Sequence, residues 1–140
     1  MNKRAGKILM VALVFLCIAF FLLWRFSQPK QTDLELLQDS SLLQARQSFE
    51  AFALSGQQSE YWDGVANFRC FMQAYLILCD GSTADYLACN RVYGRMLLNP
   101  ERVQENMDGL CHALGLLCDD KSEINGFLRM SELANALDYG

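Results

Sequence analysis

Histidine occurs once in this chain, proline twice, and no acidic residue stands before Phe26. Each shortage excludes something. With His112 as the lone imidazole there is no His-x-x-x-His pair, and the six cysteines include no Cys-x-x-Cys, so the common zinc patterns are missing. No Gly-rich phosphate loop, Gly-x-Ser-x-Gly elbow or kinase signature occurs. Runs of alternating β-branched residues are absent too, which leaves a sheet little support. Pro29 and Pro100 both fall between apolar-periodic segments. The Pro-free stretches are rich in Leu, Ala, Glu, Gln and Met and read as helix.

What is there begins with an unbroken apolar run from Ile8 to Trp24. At about 1.5 Å per helical residue it spans roughly 25 Å. Ala5, Gly6 and Phe26 extend it toward the ~30 Å of a bilayer core. Trp24 sits at an interfacial position. Lys3, Arg4 and Lys7 flank the run more strongly than Arg25 and Lys30 do, so the positive-inside tendency keeps the N-terminus in the cytoplasm. A cleaved signal peptide begins the same way but needs small residues at −3 and −1. The exit Leu22-Leu23-Trp24-Arg25-Phe26-Ser27 offers none, and the residues before Cys17 make a poor lipoprotein site. The expected organisation is a cytoplasmic N-terminus at 1–7, a transmembrane anchor at 8–26, a linker at 27–31 and an extracytoplasmic helical domain at 32–140.

All 16 acids lie beyond Phe26, with only eight of the 12 Lys/Arg. A domain this acidic is repelled by nucleic-acid phosphates, which excludes nucleic acid as a partner.

Five helices are expected in it. Thr32-Asp-Leu-Glu35 is a capping box, and Leu42, Ala45, Phe49 and Phe52 carry the first apolar face to about Leu54. The second helix runs from near Ser59 to about Cys79 and is the most apolar. Asp80-Gly81-Ser82 breaks the chain, and Ser82 with Asp85 caps the third. Asn99-Pro100 opens the fourth, whose face is Val103, Met107, Leu110, Cys111, Leu114, Leu117 and Cys118. Phe127, Met130, Leu133, Ala134 and Leu137 carry the fifth, after the loop Asp119-Asp120-Lys121-Ser122. The fold class is all-α: a transmembrane helix followed by a small bundle of about five helices. Leu78-Cys79-Asp80 and Leu117-Cys118-Asp119 each follow an apolar helix, and similar apolar patterns follow both. That spacing fits two stacked helical hairpins. An irregular bundle without repeats fits as well. The segment Tyr93-Gly94-Arg95-Met96-Leu97-Leu98-Asn99-Pro100-Glu101 is similar to the end of a tetratricopeptide repeat, although the inner small residues of that repeat do not appear.

Five cysteines fall in the domain. Cys111 and Cys118, seven apart on one helix, are ~10.5 Å apart and beyond disulfide reach. Cys79 with Cys118 is the pair that could bridge two helices; the alternative is that all are small core side chains. Cys111 and His112 are neighbours that diverge by about 100° and form no nucleophile–base pair. Gly126, Leu128 and Glu132 match the second half of an EF-hand loop, but Lys121 stands where the loop needs an acid. No metal or cofactor is expected, and no catalytic residue. Tyr86, Tyr93 and Arg95 are the candidate interaction surface. The expectation is a non-enzymatic, membrane-anchored module that binds another protein. The alternatives are an accessory subunit of a membrane complex and a calcium- or redox-responsive sensor.

Overall fold

A computed structural model describes residues 3–27, 31–79, 83–119 and 123–139. Side chains at 3–9, 11, 24–27 and 31 lie outside the description. So do the linker residues 28–30, the break Asp80-Gly81-Ser82 and the loop residues Asp120-Lys121-Ser122. Among the described residues there are seven helices and no strand: α1 (Lys3–Ser27), α2 (Gln31–Ser55), α3 (Gln58–Leu78), α4 (Ala84–Leu98), α5 (Pro100–Glu105), α6 (Met107–Leu117) and α7 (Glu123–Tyr139). The chain divides into two compact units, 1–31 and 32–140.

The first unit is α1. Its described side chains, Met10 and 12–23, cover about 20 Å of helix against the ~30 Å of a bilayer core. Among the described residues no helix is long and apolar enough to cross a membrane. The all-helical bundle is supported, and the spanning segment at 8–26 is without structural support.

The second unit is a helical bundle in which α3 packs on α4, α6 on α7, and α4 on α7. Leu42, Ala45, Phe49 and Phe52 of α2 are buried, with Phe49 and Phe52 edge-on to the ring of Tyr61 in α3. Phe49 also lies against Gly64, where a Cβ would come within 2.8 Å of its ring. α2 ends at Gly56, whose φ of 70° is the left-handed conformation a helix C-terminus favours; its N–H donates to the Phe52 carbonyl at 2.8 Å. At the other end, α2 starts one residue before the expected cap, so Thr32 stands inside the helix. The N-cap of α4 is Thr83, whose side chain accepts from the Tyr86 N–H at 3.2 Å; Ser82, the expected cap, lies outside the described residues.

The α4–α5 junction follows from Pro100. The Met96 carbonyl would take its helical hydrogen bond from the N–H of residue 100, and proline has none. The buried Tyr61 hydroxyl of α3 donates to that carbonyl instead, at 3.1 Å. The expected fourth helix is in fact two, α5 and α6, divided at Asn106. There the N–H of Asn106 donates to the Val103 carbonyl, and the Asn106 side chain donates to Arg102. Asparagine's competing side-chain hydrogen bonds favour such a break. The periodicity survives it, since Val103, Met107, Leu110, Leu114 and Leu117 are all buried.

The hairpins α3–α4 and α6–α7 bury matching positions. Phe68, Phe71 and Tyr75 match Met107, Leu110 and Leu114, 39 residues on. Cys89, Val92 and Met96 match Met130, Leu133 and Leu137, 41 residues on, so the second hairpin has two more residues between its buried faces. α4 and α7 pack side by side. Tyr75 meets Phe127 at one end, with ring centroids 5.3 Å apart. Arg91 and Arg95 meet Asp138 at the other.

Candidate functional site

Tyr86 and Tyr93 lie on one face of α4, half-buried against the core. Arg95, two residues on from Tyr93, points about 200° around the helix. Its Nε donates to Asp138 of α7 at 2.7 Å. The two tyrosines thus share a face of α4 two turns apart, and Arg95 is turned away from that face.

Arg95 belongs to a cluster that spacing within the sequence did not reveal. Arg91 pairs with Asp138 and donates to Asn135 Oδ1 at 3.0 Å. Arg102 of α5 donates to the Ala136 carbonyl at 3.1 Å. Asp138 is in the last turn of α7, where the helix dipole disfavours an acid and no basic residue of α7 compensates. Arginines from α4 and α5 supply that charge from outside. Arg91 and Arg95 of α4 hold the Asp138 carboxyl below its ordinary 3.8, first through the hydrogen bond from Arg91 and then that from Arg95.

A second cluster lines an open groove of about 360 Å³ between α2 and α6, formed by Arg46, Glu50, Cys111, His112, Gly115 and Leu116. Arg46 Nε holds Glu50 at 2.7 Å, an i,i+4 pair, and its guanidinium lies across Gly115. Burial pushes the Cys111 thiol up to about 11, with Glu50 and Asp108 adding and Arg46 opposing. Burial raises Cys118 too, against the Arg46 charge. Both thiols stay protonated at neutral pH, unlike an activated nucleophile.

Cys79 and Cys118 carry free thiols with different neighbours. Cys79 lies beside Tyr75 and Cys118 beside Arg46. The stretch resembling an EF-hand forms no loop: Asn125 to Leu133 is helix, Gly126 is buried against Leu117, and Glu132 pairs with Arg129 at 2.6 Å. Among the described residues no group of three or more His, Cys, Asp or Glu is placed to hold a metal ion. Comparison of the chain with protein-family models, curated proteins and solved structures gives no match.

Proposed function

We propose that this chain is a membrane-anchored helical module that binds another protein. In this reading α1 and its apolar run lie in the cell membrane, the N-terminus is cytoplasmic, and the domain 32–140 is displayed on the far side. The observation that carries it is the surface of α1. Every described side chain from Ala12 to Leu23 is exposed, and all are apolar. A helix apolar all round its circumference needs lipid or protein around it. The accessory-subunit reading draws on one feature, a notch of about 300 Å³ beside Leu16, Cys17, Phe20 and Phe21, which would accept a side chain from a neighbouring membrane helix.

Two measurements test the proposal. Alkaline extraction of membranes should leave the chain in the pellet, and release into the supernatant would end the anchor reading. Crosslinking in intact membranes, then purification through a C-terminal tag and mass spectrometry, should recover a stoichiometric protein that still binds the domain. A partner lost only when the 8–26 sequence is replaced would favour the accessory subunit.

A further inference from the structure

We propose that the seat between α3 and α6 is a site for an amphipathic helix of another protein, and that α2 is its built-in occupant. α2 lies against both helices. On one side Phe49 and Phe52 stand edge-on to Tyr61 of α3, with ring centroids 5.8 and 5.4 Å away, and Gly64 has no Cβ to meet the Phe49 ring. On the other side Arg46 reaches across Gly115 of α6 to Cys118. The apolar side chains that α2 buries are Leu42, Ala45, Phe49 and Phe52, at helical steps of three and four. A partner helix with that stripe, and an arginine directly after the alanine, would make the same contacts.

α2 is set apart from the rest of the bundle. Backbones run close between α3 and α4, α4 and α7, and α6 and α7, and α2 belongs to no such close pair among the described residues. α3 is joined to α4 and α5 without it: Tyr61 donates to the Met96 carbonyl, and Gln104 donates to the Gln58 side chain at 3.2 Å. The groove of about 360 Å³ between α2 and α6 stays open. No described side chain from Thr32 to Ser40 is buried, so residues 41–55 alone seat the helix. At its C-terminal end Gly56, with φ of 70°, supplies the turn about which α2 and α3 can open. An element that is loosely packed and partly in solvent opens before the close-packed ones. The inference rests on the protein-binding reading and makes α2 an internal competitor: a partner helix binds only in the fraction of chains from which α2 is displaced.

The test uses the full chain in detergent micelles and, as probe helix, a fluorescent peptide copying residues 41–55. In hydrogen exchange of the wild-type chain, the amides of 41–55 should exchange at least about tenfold faster than those at the centres of α4 and α7. Exchange of all three at one rate would overturn the proposal. Phe49→Ala in the chain unseats α2 and leaves α3 and α6 unaltered, so it should tighten the Kd of the peptide at least about tenfold over wild type. A peptide carrying Phe49→Glu should bind neither chain. Failure of the Phe49→Ala chain to take the peptide would overturn the proposal, as would equal binding of the two peptides. So would loss of α3 to α7 in that variant, since they are to stand when α2 is displaced. Crosslinking in membranes reports the binding reading separately. A chain that opens and takes the peptide but yields no protein partner would keep the site and end that reading.

Discussion

At the scale of the residue, single atoms decide where two helices meet. Tyr61 is buried, and its hydroxyl serves the carbonyl that Pro100 leaves unserved. Burial pushes that phenol up to about 12, so it remains a donor throughout the neutral range. Tyr61→Phe leaves a buried acceptor unsatisfied and should lower unfolding free energy by about 1–3 kcal/mol in urea titrations. Gly126 makes a different contact. An alanine in mid-helix ordinarily gains about 1 kcal/mol over glycine. Here its Cβ would stand 2.7 Å from the Leu117 backbone nitrogen and 2.8 Å from the Leu117 side chain. Because backbone cannot yield as a side-chain tip does, Gly126→Ala should destabilise by about 1–3 kcal/mol, read as a lower urea midpoint.

At the scale of the element, the helices show what the sequence made legible. Apolar spacing located α3 and α7 closely, and Asn99-Pro100 marked the α4–α5 boundary because it acts through backbone chemistry at that position. The Asn106 break was hidden because Val103 and Met107 keep helical spacing across it. The arginine cluster on α7 was hidden for another reason. Arg91 and Asp138 are 47 residues apart, and only the packing of α4 on α7 joins them. Arg95 reaches the same carboxylate from 43 residues away, and helical rotation sets it about 200° from Tyr93, its neighbour in the sequence. The cluster predicts a pH dependence. Asp138 is held below its ordinary value in the folded chain, so its stabilising effect is present above the unfolded value and is lost as pH falls through the folded one. The urea midpoint should therefore drop below about pH 4. Asp138→Asn should lower it at neutral pH and flatten that dependence.

At the scale of the whole molecule, thiol chemistry maps the fold. Cys70 and Cys79 are exposed, Cys111 and Cys118 half-covered, and Cys89 buried. Burial pushes Cys89 up to about 12, with the Asp85 charge adding to it. Reactivity follows both access and thiolate fraction. Timed alkylation at pH 8 with peptide mass spectrometry should modify Cys70 and Cys79 first, Cys111 and Cys118 more slowly, and Cys89 only on unfolding. Early modification of Cys89 would mean a looser core than the helices describe. Failure of Cys79 and Cys118 to react until a reductant is added would reveal the bridge that their positions in sequence suggested.

The Tyr61–Met96–Pro100 contact reaches beyond this one chain. A residue with an N–H at position 100 would compete for the same carbonyl, and a chain with phenylalanine at 61 would need that N–H. The two positions are therefore coupled through an atom neither contributes. In relatives of this sequence the hydroxyl at 61 and the proline at 100 should be gained and lost together, an epistatic pair recognisable by covariation alone.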